Sequence, residues 1–290
     1  MDERAALTIV EELVGGAGDD AALVDETVIA VDMLHTATDY PAGVTPYTAG
    51  WRTVAVSLSD LAAVGARPTA TLSVYAPPRF DQADLEAYLT GAIEASASVG
   101  AEYVGGDLDI TDELTTVGIA LGEADSLVGR DGASIGDAVV VTGSLGRGAI
   151  AVKLFEADAT DEANERFQIE PRIDAGLELR EVATALIDSS DGLARSLHLL
   201  AEASDCGFDI TESAVPLDDG LDAIADDEQE RREYGFFWGE DFELVATVPP
   251  ASVDSLDDRL DVPVTQVGTV TEEGVTMDGD ALPDRGYSHE

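Results

Sequence analysis

Hydrophobic and polar positions along this chain follow two rhythms. Short β-branched runs at 21–24 and 27–31 flank the turn Asp25-Glu26 and predict a hairpin. Alternation at 68–76, 102–104 and 115–123 predicts further strands, the first of them stopped by Pro77-Pro78. Helical spacing predicts helices over 4–14, 48–64 and 81–99, the last with an acidic first turn. The turn-rich segment 130–137 divides the chain. Beyond it the pattern predicts a strand at 138–142 and helices at 147–156, 173–186, 193–203 and 219–225. Further strands are expected at 208–211, 242–248, 264–270 and 274–277. Residues 157–168 read as a loop or helix end, 187–191 as a turn and 226–233 as a solvated charge run. The reading is a mixed α+β protein of two domains, 1–130 and 131–290, without a short-period repeat.

Composition narrows what such a fold can do. The chain has 290 residues, with 60 Asp and Glu against 15 Lys and Arg, for a formal charge of −45. Hydrophobic residues make up 45%, enough for a substantial core. Lys153 is its single lysine. Neither nucleic acid nor an anionic membrane surface suits this charge, because both need clustered bases on the protein. No apolar run is long enough for a membrane span, and the start Met1-Asp2-Glu3-Arg4 predicts no secretory signal. One cysteine, Cys206, excludes an internal disulfide. A reducing, cytoplasmic setting is expected. Acid excess spread over the whole chain, with lysine almost absent, points to a halophile's salt-rich cytoplasm.

With so many acids, only context singles out functional ones. Several stand directly after apolar runs: Asp32 after 28–31, Asp60 after 54–59, Asp107 after 103–106, and Asp188 and Asp191 after 185–187. Asp20 follows a glycine loop. A carboxylate in such a place is costly to desolvate unless something pairs with it, and bases are too few here. A hard divalent cation such as Mg2+ can pair with it and share substrate phosphates. Other chemistry is sparse. There is no P-loop, no G-x-S-x-G elbow and no H-E-x-x-H motif, and the three histidines lack metal-ligand spacing. Residues 143–148 only approximate a glycine-rich phosphate loop, and a plain tight turn is the favoured reading.

Eight motifs then occur in order. They are Gly18-Asp19-Asp20-Ala21-Ala22, Val31-Asp32-Met33-Leu34, the run 56–68 around Leu58-Ser59-Asp60-Leu61, Val104-Gly105-Gly106-Asp107, Val128-Gly129-Arg130-Asp131-Gly132-Ala133, Val141-Thr142-Gly143-Ser144-Leu145-Gly146, Asp188-Ser189-Ser190-Asp191-Gly192-Leu193 and Gly239-Glu240-Asp241-Phe242-Glu243-Leu244. Together they resemble the thiamine-monophosphate kinases, a family of the aminoimidazole-ribonucleotide-synthetase-like superfamily. The resemblance implies an N-terminal sheet that forms a β-barrel with its copy in a homodimer, and a C-terminal α/β domain. It implies transfer of the γ-phosphoryl of ATP to thiamine monophosphate, assisted by several Mg2+ ions and without a general base. By position Asp20, Asp32, Asp60, Asp107, Asp188 and Asp191 match metal ligands. Gly106, Asp107, Arg130 and Ser190 match nucleotide contacts, and Glu240 and Tyr287 lie where the thiamine moiety is held.

Three positions depart from the family pattern. Asp39 stands where His is frequent, Ala30-Val31 where Ser or Thr often precedes the Asp32 position, and Trp238 where a second glycine is usual. Asp39 then has three open roles: holding an extra Mg2+ at the acceptor phosphate, yielding that phosphate to His35, or facing the cationic thiazolium or the aminopyrimidine. The alternative reading is another enzyme of the superfamily, namely selenophosphate synthetase, hydrogenase-maturation ATPase or aminoimidazole-ribonucleotide synthetase. Selenophosphate synthetase calls for a reactive Cys near the N-terminus, and Cys206 is far from there.

The charge generates a first prediction. At about 0.1 M salt the Debye length is about 10 Å, and at 1 M about 3 Å, so lowering KCl spreads acid–acid repulsion across whole faces. The thermal midpoint of the protein is expected to rise steeply with KCl. A midpoint independent of KCl refutes the halophile reading.

Overall fold

Two sheets gather the β-branched runs, and one helix runs between them. The computed structural model describes residues 6, 9–10, 13–14, 18–256 and 259–287. Most of the helix expected over 4–14 lies outside the described residues.

The first sheet contains β1 (Ala22–Val24), β2 (Thr27–His35), β3 (Arg67–Ala76), β4 (Glu102–Leu108) and β5 (Thr115–Glu123), in the order β1-β2-β5-β3-β4. Its pairings are antiparallel except β3 with β4. Period-two alternation gives the sheet two faces. One buries Val28, Ala30, Thr71, Ser73, Thr116 and Ala120. The other carries Val31 and Met33, 62% and 55% exposed, so an apolar face remains open on this chain. β4 runs four residues past its expected end. Its register with β3 skips Val104, a bulge that the positive-φ Gly105 and Gly106 accommodate.

Helices α1 (Pro46–Ala63) and α2 (Gln82–Ser98) cover the buried face. Thr45 caps α1, accepting from Thr48 N at 3.2 Å, and Pro46 fits the first turn, where no N–H is needed. Asp81 caps α2, accepting from Ala83 N at 2.9 Å. The two helices nearly touch at Gly50 and Gly91. A Cβ at Gly50 would overlap the Tyr88 carbonyl, and one at Gly91 the Tyr47 carbonyl.

The second sheet contains β6 (Ala138–Thr142), β7 (Ala185–Asp188), β8 (Gly207–Ile210), β9 (Leu244–Val248), β10 (Val264–Thr271), β11 (Val275–Met277) and β12 (Asp280–Ala281). Their order is β12-β11-β8-β10-β6-β9-β7, with β8 and β11 parallel and the other pairs antiparallel. Strands β6, β7 and β9 are buried along their whole length, as continuous apolar runs require. Helices α5 (Ile173–Leu179) and α6 (Leu193–Ser204) pack against it, while Phe155 of α3 (Arg147–Glu156) and Ala163 and Phe167 of α4 (Thr160–Phe167) share a core with Leu34, Tyr40 and Tyr75 of the first half. α1 joins the halves. Its Val54, Leu58 and Leu61 share one core with Val28 and Ala120 of the first sheet and Val140, Leu186 and Ala246 of the second.

Some expectations are corrected. The helix expected over 173–186 stops at Leu179, and Ala185–Asp188 is instead a strand against β9. Helical spacing up to Leu186 is overridden by a distant strand partner that a local pattern does not reveal. Residues 157–168 contain α4, and the charge run carries a helix at Glu228–Arg232 followed by a π-helical turn at Glu233–Phe237.

Packing at the two glycines predicts a cost. Gly91→Ala is expected to destabilise the fold by about 1–3 kcal/mol, because backbone must move to admit the methyl. Urea denaturation checks this, and an unchanged midpoint contradicts the close approach.

Candidate active site

Four aspartates converge from both halves of the chain around α1. Asp32 lies on β2, Asp60 on α1, Asp188 ends β7, and Asp20 precedes β1. Helix α1 also supplies their neutral donors. Ser57 Oγ donates to Asp32 at 3.0 Å and Ser59 Oγ to Asp188 at 2.6 Å. Ser190 N donates to Asp188 at 3.2 Å. These bonds do not offset the loss of water. Burial raises the Asp32 carboxyl above its ordinary range, the hydrogen bonds from Asp60 and Ser57 pull it back, and the Asp20 charge raises it again. Asp60 is raised well above its ordinary value, first by burial and then by the charges of Asp32, Asp188 and Asp20. Asp188, 2% exposed, is lifted to about 7, first by burial and then by Asp20.

Among the described residues one cation reaches this group. The Arg130 guanidinium pairs with Asp20, and Arg130 N donates to Asp19 at 2.9 Å. Asp20 Oδ2 is buried without a hydrogen-bond partner. Among the described residues no group of three His, Cys, Asp or Glu side chains is placed, as it stands, to hold a metal ion. An orphaned carboxylate oxygen among acids that raise one another's pKa is nonetheless a donor set suited to a hard, oxygen-seeking cation.

Asp191 and Ser190 tie this group to a cleft. Ser190 O accepts from Glu240 N at 2.7 Å, and Asp191 O accepts from Tyr287 N at 3.1 Å. Glu240 and Tyr287 line a cleft of about 600 Å3 together with Asp39, Trp238, Phe167 and Phe237. The three expected substrate contacts, Asp39, Glu240 and Tyr287, thus share one cavity, and Trp238 forms part of its wall. His35 turns away, its Nδ1 lying 3.1 Å from Thr115 Oγ1. Asp39 folds back on its own turn, accepting from His35 N and Thr38 Oγ1, each at 2.7 Å. Burial raises the Glu240 carboxyl, Arg52 opposes the rise and Asp39 adds to it. Burial likewise raises Tyr287, followed by the charges of Asp39 and Glu240.

Gly106 and Asp107 lie apart from the four aspartates, on the exposed edge strand β4. A side chain at Gly106 would overlap the Ser73 carbonyl, so glycine is required there. Asp107 accepts from Leu108 N at 2.9 Å.

Arg52 was missed by sequence reasoning. It sits in the middle of α1, 1% exposed, and pairs with Glu240. It also donates to Phe167 O at 2.9 Å, and its guanidinium stacks 3.6 Å from the Phe167 ring centroid. A lone arginine among Trp51, Thr53 and Val54 was the available signal. The glycine loop 143–148 resolves as a turn. Asp241 caps the helix that follows, accepting from Gly146 N at 2.8 Å and Gly148 N at 3.0 Å. The place an anion would take at that helix start holds the protein's own carboxylate.

Comparison with known proteins places the whole chain in a family. Residues 18–124 match the model for the N-terminal domain of AIR synthase related proteins, and 134–279 the model for the C-terminal domain. The thiamine-monophosphate kinase of Halobacterium salinarum is 52% identical, covering 100% of both chains. That of Methanospirillum hungatei is 36% identical, covering 100% of this chain and 99% of its own. The solved structure of AaThiL complexed with AMPPCP and TMP superposes with a TM-score of 0.89 at 26% identity, covering 100% of this chain and 97% of its own.

Asp188 generates a prediction whose sign follows from its raised pKa. The unfolded chain ionises near 3.8 and the folded one near 7, so this site favours folding most below 3.8 and loses that contribution as pH rises to about 7. In metal-free protein Asp188→Asn is therefore expected to melt a few degrees above wild type at pH 8, with the advantage vanishing toward pH 4. A lower midpoint at pH 8 contradicts a strained buried charge.

Proposed function

The chain belongs to the thiamine-monophosphate kinase family of AIR synthase related proteins, and from that premise we propose that it transfers the terminal phosphoryl of ATP to thiamine monophosphate, giving thiamine diphosphate and ADP. The observation that carries this reading is the join between the two sites. Hydrogen bonds from Glu240 N to Ser190 O and from Tyr287 N to Asp191 O set an aromatic, acid-lined cleft directly against the aspartate group.

The acceptor is a phosphate oxygen, largely ionised near neutral pH, so the chain needs no general base. Its task is to bring two polyanions together and hold them in line. Asp20, Asp32, Asp60, Asp188 and Asp191 are the residues that would hold Mg2+, which neutralises phosphate charge when bound, and Asp107, on the edge strand, would be a ligand apart from that group. Gly106, Asp107, Arg130 and Ser190 serve the nucleotide. Arg130 offers a planar fork for phosphate oxygens. Asp39, Glu240 and Tyr287 receive thiamine monophosphate, their acidic and aromatic surfaces suiting a cationic heteroaromatic ring.

The open face of the first sheet, with Val31, Met33 and Val104 more than half exposed, supports pairing with a second copy as a homodimer whose two sheets close a barrel. The two functional units divide near residue 130. No helix of the described residues is long and apolar enough to cross a membrane. A high-salt cytoplasm fits the charge.

Purified protein in high KCl with Mg2+, ATP and thiamine monophosphate is expected to form thiamine diphosphate and ADP in equal amounts, and to leave free thiamine untouched. Asp188→Asn is expected to lose ~100-fold or more in kcat while remaining folded, since it removes a group that holds charge-neutralising metal. Absence of thiamine diphosphate at every salt concentration would overturn the assignment.

A further inference from the structure

The cleft's acids are not equivalent. Asp39, Glu156, Glu233 and Glu240 all line it. Glu240 is paired with the buried Arg52. Glu156 is paired with Lys153 at 2.9 Å, and Glu233 with Arg285 at 2.5 Å. Asp39 accepts from neutral donors, His35 N and Thr38 Oγ1, and the Tyr287 hydroxyl lies beside it. Among the described residues lining the cleft, Asp39 is thus the carboxylate whose charge no basic side chain matches.

Resting on the acceptor reading above, we propose that Asp39 is the specificity-determining counter-ion of this cleft, reading the fixed positive charge of the acceptor's thiazolium ring. Glu240 is a positioning group. Its charge is spent on Arg52, which also fixes the Phe167 wall by stacking on the ring and donating to its carbonyl. A bare carboxylate repels a phosphate and attracts a cationic ring, so Asp39 faces the heteroaromatic end of the acceptor. Its hydrogen bonds to His35 N and Thr38 Oγ1 fix its direction without cancelling its charge. Partial exclusion of water by the aromatic walls strengthens such a contact.

Calorimetry in high KCl, with Mg2+ and a non-hydrolysable ATP analogue present, tests this using two acceptors. One is thiamine monophosphate. The other is its thiophene analogue, alike in outline but uncharged in the ring. Wild type is expected to prefer the charged acceptor by ~10-fold or more, as a desolvated charge contact provides. Asp39→Asn, which keeps the size and both acceptor bonds, is expected to reduce that preference to about two-fold or less by weakening the charged acceptor alone. Nucleotide affinity is expected to stay within about two-fold. Glu240→Gln is expected to weaken both acceptors in equal proportion. If Asp39→Asn weakens both acceptors equally, Asp39 acts at the phosphate end or through shape, and the proposal fails. An unchanged preference in Asp39→Asn also overturns it. If wild type binds neither acceptor, the acceptor reading itself fails and this inference falls with it.

Discussion

Buried negative charge without enough positive charge to match it is the constraint on which this molecule is organised. Asp32, Asp60 and Asp188 are drawn toward one another by the packing of β2, α1 and β7, and each is desolvated there. Arg130 answers one member, Asp20, and leaves one of its oxygens orphaned. Replacing such acids with apolar residues of similar volume would favour stability. Their presence is a cost to the fold that a bound cation can offset.

Helix α1 makes the arrangement possible. It is built largely of small residues, which let it sit between two sheets and against α2 at glycine contacts. From that position it serves both sites. Ser57, Ser59 and Asp60 point to the acid group, while Arg52, two turns earlier, reaches Glu240 and the Phe167 wall of the cleft. Displacement of this helix would disturb phosphate handling and acceptor recognition together. The short connection from Asp188 through Ser190 and Asp191 to Glu240 and Tyr287 couples the sites a second time.

Much of this was legible in the sequence. Aspartates that end apolar runs are expensive in isolation, and Asp32, Asp60 and Asp188 do meet. Asp39, Glu240 and Tyr287, far apart in the chain, line one cleft. What escaped was set by distant partners. The strand Ala185–Asp188 continues the helical spacing before it, and β9 alone makes it a strand. Arg52 escaped because its partners lie more than a hundred positions away. At 143–148 the tight-turn reading was the better one, but nothing nearby revealed that Asp241 caps the helix that follows.

We propose that the buried acids hold a divalent cation. Calorimetric titration of metal-free protein with Mg2+ at pH 7 in high KCl, repeated in two buffers of different ionisation enthalpy, tests it most directly. With Asp188 lifted to about 7 and Asp60 raised well above its ordinary value, binding must expel protons from the acid group. Saturable binding is expected, with net proton release that shrinks as pH rises toward 9. Saturable binding with no exchange of protons at pH 7, or no binding at all, would contradict it.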